Sequence, residues 1–350
     1  MEKDKTLQSE NPEILKAEET INSINNDAAA RAISAIGITA ADVESGIRTI
    51  LDESEKSLTV GEIPQKIREV CGLNPAPGQC KYCSTVVLRD LDNQILEEMN
   101  RIITADALVS YQELNNINNG AAVYPLLQPE AKESLKRVIN RRNGTTLRVN
   151  SAYRSIAAQY MLEKLIGMGL CYSAGIPVAP VGASNHQRGL ALDVEDPYSW
   201  VEFFQAENWI WGGNFEYSDP PHFAYRIGRD TPDTGNLAIR AFQQLWNKHN
   251  ISDPITQDGI WGPMTQSRLD RSPIGGFSTP ELLYLIEPPY MEGSDVRRVQ
   301  ETLNQQPSIS LKVDGIYGPS TEDTVKQFQK QENLTVDGIV GPETRQALEI

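Results

Sequence analysis

From residue 27 to residue 70, apolar side chains recur at helical spacing: Ile33, Ile36 and Ile38, then Ile47, Ile50 and Leu51. Gly37 and Gly61 interrupt the pattern, so it predicts several short helices and not one long one. The polar, acidic residues 1–25 before it read as a flexible lead or a loosely held helix. After the turn-rich stretch 72–78, Val86, Leu88, Leu91, Ile95 and Met99 share one broad face and predict a helix over 85–103. Near Leu108 the pattern changes. Residues 129–141 open on a Pro and carry Ala131, Leu135, Val138 and Ile139 at helical spacing, and Asn143-Gly144 ends them. Residues 145–150 read as a strand and 155–168 as a helix. Segments 182–196 and 221–227 bear strands, joined by a Trp-rich connection. That mixture predicts an α+β domain.

From about Asn236 the sequence repeats. Asp258-Gly259-Ile260-Trp261-Gly262-Pro263-Met264-Thr265 returns at Asp314 to Thr321 and again at Asp337 to Thr344. Phe242-Gln243 and Phe328-Gln329 precede the first and third copies on predicted helices. Asp-Gly and Gly-Pro form turns, and the Thr can cap the next helix, so each unit reads as helix, tight loop, helix. Residues 273–293, with several Pro and Gly, read as a linker between two such modules.

Composition narrows the function classes. The 350 residues carry 32 basic and 47 acidic side chains, a net charge of −15, which argues against a general nucleic-acid binder. The segment 121–230 is balanced, with 11 of each sign, so the excess lies in the flanks and attraction to an anionic surface cannot rest on bulk charge. No apolar run approaches the ~20 residues of a membrane span, and residues 1–5 are not followed by the apolar stretch of a secretory signal. Only three His are present.

Two of those three fall in one constellation. Ser184-Asn185-His186-Gln187-Arg188-Gly189-Leu190-Ala191-Leu192-Asp193 pairs a His with an Asp, and Asp219-Pro220-Pro221-His222 adds the second His behind another carboxylate. Two imidazoles and one carboxylate suit a catalytic zinc site that keeps one position open. Asp219, three residues before His222, is placed to take a proton from water activated there and hand it to a leaving amine. This arrangement resembles the zinc D,D-peptidase family of VanY-type D-Ala-D-Ala carboxypeptidases and phage L-Ala-D-Glu endopeptidases. The family pattern Ser-x-His-x-x-Gly-x-Ala-x-Asp is met at Ser184, His186, Gly189, Ala191 and Asp193, and an upstream element at Ser151, Tyr153, Arg154, Ser155 and Gln159. The resemblance covers about residues 107–230. It implies a small antiparallel sheet with flanking helices, Zn2+ on His186, Asp193 and His222, Asp219 as catalytic base, and Arg154 anchoring substrate or oxyanion. Gln159 and Ser184 are implied as substrate-side support. Trp200, Trp209 and Trp211 line the cleft or fill the core, and His249, on a polar stretch, reads as exposed.

The repeats resemble the three-helix peptidoglycan-binding module of bacterial wall hydrolases. Residues 294–350 match a whole module, including Val299-Gln300 and Leu303, whereas 236–271 match only its second half, without the first helix and first Asp-Gly loop. That argues against independent wall binding by that copy and leaves packing against the peptidase as the alternative. Trp261 and Tyr317, at matching positions, are candidates for glycan contact. The expected organisation is a helical region over 1–106, a peptidase over 107–230, a partial module over 231–272, a linker over 273–293 and a module over 294–350. Cys71, Cys80 and Cys83 form a second cluster that suits a structural metal (with Cys171 as a fourth ligand), a disulfide or free thiols. The expected activity is hydrolysis of stem-peptide bonds in peptidoglycan at the wall or periplasm, with the C-terminal modules holding the enzyme there. Two rivals stand beside it: a non-catalytic wall-binding protein, and a lysin or toxin cargo released by lysis or by secretion machinery docked on the N-terminal region.

Overall fold

The computed structural model describes residues 58–71, 85–103, 106–120, 123–171, 178–226, 234–278, 280–307 and 309–350. The helices expected over 27–57 lie outside these residues. Within them the protein is mixed α and β, with small sheets in the middle of the chain and helices towards both ends.

Among the described residues two helices come first, α1 (Ile63–Cys71) and α2 (Arg89–Ile103), the second preceded by a 3-10 turn at Val86–Leu88. Strands β1 (Val109–Ser110) and β3 (Leu126–Leu127) form a two-stranded antiparallel pair. Strand β2 (Ile117–Asn119) joins β4 (Leu147–Ser151), β5 (Ala191–Val194), β7 (His222–Tyr225) and β6 (Trp209–Trp211) in a five-stranded sheet of order β2-β4-β5-β7-β6. All its pairings are antiparallel except β2 with β4 at one edge. Helix α3 (Pro129–Arg141) starts on the Pro that fixes φ at its first turn, and α4 (Ile156–Gly167) starts on Ser155, whose Oγ accepts from Ala158 N at 3.0 Å. The short α5 (Val201–Gln205) precedes β6.

Alternation along the strands decides what the sheet presents. Val149, Leu192, Val194 and Phe223 face a core filled by Leu135 and Val138 of α3 and by Trp200, Phe204 and Trp209. Asp193 and His222 therefore project from the opposite face, directly across from each other in the β5–β7 register. Trp200 and Trp209 belong to the core, and only Trp211 stays partly exposed.

The C-terminal half contains α6 (Thr234–His249), α7 (Pro263–Arg271), α8 (Ser294–Leu303), α9 (Pro319–Gln331) and α10 (Pro342–Leu348). The repeated sequence has one structural meaning in each copy. A buried Gln donates to the Asp carboxylate (Asp258 2.8 Å, Asp314 3.0 Å, Asp337 2.8 Å), to an Ile carbonyl and to the Thr hydroxyl, while accepting from the Gly N–H. The three glutamines are Gln243, Gln300 and Gln329. Gly259, Gly315 and Gly338 all sit at positive φ, a conformation other L-residues adopt only with strain.

The first copy shares its core with the rest of the chain. Ala238, Phe242 and Leu245 of α6 join Leu91, Ile95 and Met99 of α2 and Ile156, Tyr160 and Leu165 of α4. Trp261 packs edge-on to Tyr160 of α4, and Asp270 receives hydrogen bonds from Tyr160 Oη and Lys164 Nζ, both at 2.8 Å. Residues 273–293, expected as a linker, pack instead: Leu283, Tyr284 and Met291 are buried in the core of α8, α9 and α10, and Leu283 pairs with Val340. Apolar side chains among the Pro residues supply that packing. Tyr317 is fully buried and donates to Gly338 O at 2.8 Å, so it is a core residue and not a glycan contact. His249 is partly buried and stacks on Phe277 with ring centroids 4.8 Å apart, contrary to the exposed position its polar neighbours suggest. No helix among the described residues is long and apolar enough to cross a membrane.

Candidate metal centre

Three strands and one turn assemble the site. Ser151 of β4 pairs with Asp193 of β5, and Asp193 pairs with His222 of β7, so three successive strands bring these positions into one row. His186 comes from the loop before β5, where Gly189 turns back at φ +64° and its N–H bonds to His186 O at 3.1 Å. A Cβ on Gly189 would lie 2.2 Å from Leu108, so both the conformation and the space require glycine. Ser184 is buried, and its Oγ accepts from His186 N at 3.3 Å.

The ligand atoms of His186, Asp193 and His222 lie within 4.8 Å of one another. Asp193 Oδ1 is 3.0 Å from His222 Nδ1 and 3.3 Å from His186 Nε2, and the two ring nitrogens are 3.2 Å apart. His186 Nδ1 lies 2.7 Å from the carbonyl of Ala152. A ring that donates from Nδ1 leaves the Nε2 lone pair for a cation, and such an outer hydrogen bond is a recurrent support of metal-binding His. Two imidazoles and a carboxylate converging on one point, with the outer nitrogen of one ring anchored, fit a tetrahedral divalent ion with an open position. Among the described residues this is the one His/Cys/Asp/Glu group so arranged.

The electrostatics agree. Burial raises the Asp193 pKa, but the charges and hydrogen bonds of His186 and His222 outweigh it and hold the carboxylate well below its usual range. Burial lowers His186. In His222 the same effect is overcome by Asp193, which raises it. Asp219 is raised by burial and by the negative charge of Asp193. It sits in the turn before β7, where its carbonyl accepts from His222 N at 3.0 Å and its own N–H donates to Gly212 O at 3.0 Å. A Cβ on Gly212 would approach Asp219 O to 2.4 Å, so this close passage also needs glycine.

Arg154 reaches the site from the segment after β4. It donates to Gln159 Oε1 at 2.9 Å and to Ser151 Oγ at 3.3 Å, and it feels the charges of both Asp193 and Asp219. Gln159 is fully buried, and its other end donates to Ala179 O at 2.7 Å. Gln159 therefore fixes the guanidinium, as Ser184 fixes the His186 loop. Sequence reasoning missed the Ala152 carbonyl and Gly212, neither of which carries a side-chain signal. It also missed Asp92 of α2, which accepts a hydrogen bond from Ser155 Oγ next to Arg154. Its position inside the apolar stripe of α2, four residues after Leu88, was the available clue.

The cysteine cluster is only partly described: Cys80, Cys83 and the side chain of Cys71 lie outside the described residues. Cys171 is disulfide-bonded, which removes it as the fourth thiolate of a metal site.

A sheet carrying a His/Asp/His centre, followed by helical repeats with buried Gln–Asp-Gly loops, defines a site-bearing domain joined to wall-module-like helices. Residues 125–211 match the family of D-alanyl-D-alanine carboxypeptidases of the VanY type, and residues 292–348 match the peptidoglycan binding domain family. The chain is also 32% identical over 116 residues to the N-acetylmuramoyl-L-alanine amidase CwlL of Bacillus licheniformis, a match covering 28% of this chain. The chain spans about a third (31%) of the length of that curated relative. The chain is thus VanY-like over 125–211 and similar to a peptidoglycan-binding module over 292–348. Asp219 and His222 lie beyond the matched 125–211, and it is the β5–β7 pairing that joins them to His186 and Asp193.

Proposed function

We propose that the protein is a zinc peptidase that cleaves peptide bonds in the stem peptides of peptidoglycan, with residues 107–230 as catalytic unit and 294–350 as wall-binding module. The observation that carries this reading is the convergence of His186, Asp193 and His222 within 4.8 Å, beside Asp219 and Arg154. Zinc held by those three side chains supplies Lewis acidity that polarises a peptide carbonyl and activates water. Asp219 accepts the proton of the water as its oxygen adds to the carbonyl carbon, and delivers it to the amine as the C–N bond breaks. Raising its pKa towards the working pH strengthens it as a base. Arg154, permanently charged and fixed by Gln159 and Ser151, binds a substrate carboxylate or the developing oxyanion. The C-terminal module keeps the catalyst close to its polymeric substrate and raises its effective concentration there. Action then takes place at the wall or outside the cell.

The test uses purified full-length protein and sacculi. One equivalent of zinc by elemental analysis and release of fragments with new termini by mass spectrometry are expected, and those termini identify the bond. Asp219→Ala retains the zinc and loses release by at least about a hundredfold. Full activity in that variant removes Asp219 as base, and sedimentation with sacculi but no release by the zinc-loaded wild type leaves a wall-binding protein only.

A further inference from the structure

The aim of Arg154 is set in stages. Its guanidinium donates to Gln159 Oε1 at 2.9 Å and to Ser151 Oγ at 3.3 Å. Gln159 stands on the first turn of α4, where its N–H donates to Ser155 O at 2.9 Å. That turn depends on the Ser155 hydroxyl, which accepts from Ala158 N at 3.0 Å and donates to Asp92 of α2. A hydroxyl has one proton to give. With Asp92 as its acceptor the proton points away from α4, and a lone pair is left for the Ala158 N–H.

Ser155 and Asp92 are both buried, so neither can turn to water for a substitute partner. Asp92 comes from outside residues 107–230 and outside the segment that matches the carboxypeptidase family. It interrupts the apolar stripe of Leu88, Leu91, Ile95 and Met99 that shares a core with Ile156, Tyr160 and Leu165. Packing alone calls for an apolar side chain there, because burying a carboxyl costs desolvation that its hydrogen bond has to offset. At the N-terminal end of α4 such an acceptor is also favoured by the helix dipole. Arg154 feels the charges of Asp193 and Asp219, so a small rotation of this turn moves it relative to the reacting centre.

We infer that Asp92 is a positioning residue for Arg154: by fixing the Ser155 cap it sets the first turn of α4 and, through Gln159, the direction of the guanidinium. The inference rests on the peptidase reading for what Arg154 does. It extends the working unit of that reading to a helix that precedes residue 107.

Two measurements on the full-length, zinc-loaded protein test it, and only one needs turnover. The first is the proton–nitrogen correlation spectrum of the arginine Nε–H groups, with the Arg154 signal identified by its loss in Arg154→Lys. Asp92→Leu is expected to shift or broaden that signal. Asp92→Asn, which keeps an acceptor for the Ser155 hydroxyl, is expected to leave it near its wild-type place. The second measurement is fragment release from sacculi. Asp92→Leu should slow release at least about tenfold with Arg154 present and less than about twofold in Arg154→Lys, where the fork to be aimed is gone. Asp92→Asn should restore most of the rate. An Arg154 signal unmoved by Asp92→Leu, equal slowing in both backgrounds, or Asp92→Asn as impaired as Asp92→Leu overturns the inference. If the wild type releases nothing, the peptidase reading fails and the spectrum alone decides the positioning. Thermal unfolding checks that each variant is folded, and Asp92→Ala replaces Asp92→Leu if that one is not.

Discussion

Asp92 shows how much one buried side chain can control. Burial raises its pKa to about 7, against which the Ser155 hydrogen bond and the charge of Arg89 act only partly. Between the ordinary carboxylate range and about pH 7 the folded chain thus holds a proton that the unfolded chain has released. Stability must then fall as pH rises through that window, by up to about 1.4 kcal/mol per unit for one proton, and level off above it. Asp92→Asn keeps an acceptor for Ser155 Oγ and removes the titration. Its melting temperature relative to wild type should therefore rise from pH 5 to pH 8, and a constant difference across that range would contradict the assignment. At this scale the sequence was most informative where chemistry is written in residue type. His186, Asp193 and His222 were legible because His is scarce in the chain and the spacing is specific. Asp92, Gly212 and the Ala152 carbonyl were not, since each acts through a neighbour brought close only by folding.

At the scale of elements, most helices and strands of the middle third can be read from local pattern: the Pro129 start, the Asn143-Gly144 stop, the Ser155 cap. The repeat was equally plain as sequence, but its engine was hidden. Gln243, Gln300 and Gln329 each satisfy four groups of their own loop, and leave no room for an apolar substitute. Gln300→Ala strands the Gly315 N–H and takes a donor from the Ile316 carbonyl and the Thr321 hydroxyl, which keep only their bond to each other. It should cost about 1–3 kcal/mol or more in urea unfolding of the intact protein, and Gln300→Glu, which keeps one acceptor and loses the donor, should recover only part. Tyr317 illustrates the opposite failure. An aromatic in a repeated loop looks like a binding residue until the third loop folds over it and takes its hydroxyl as a donor.

Across the whole molecule, a buried charge cluster connects units that the sequence pattern separates. Lys248 of α6 is fully buried, 2.7 Å from Glu98 of α2 and 2.6 Å from Asp295 of α8. Arg101 joins it through Glu281 at 2.7 Å and Glu98 at 3.2 Å. Burial raises the pKa of Glu98 against the pull of Lys248, whose own pKa its acidic neighbours raise despite burial. Removing Lys248 leaves Glu98 and Asp295 buried without their shared cation, so Lys248→Met should lower stability by about 3–5 kcal/mol. Combining it with Glu98→Leu should return much of that loss, which unfolding midpoints of the two variants will show. The same contacts bear on the N-terminal region. Helix α2 fills a core shared by α4 and α6, so truncation through residue 105 removes structure from the peptidase side. A docking role for the preceding chain has to be tested by cuts before residue 58.

What the sequence determined alone is the chemistry and the periodicity: residue types with fixed spacing, apolar stripes, caps and turns, each set by interactions within a few residues. What only the tertiary structure decided is which distant groups share one low-dielectric space. The row Ser151–Asp193–His222 depends on strand register, the Asp92–Ser155 bond on docking of α2, and the Glu98–Lys248–Asp295 cluster on three helices meeting. Those pairings are set by the burial of apolar faces across long sequence separations, and no local pattern encodes which faces will meet.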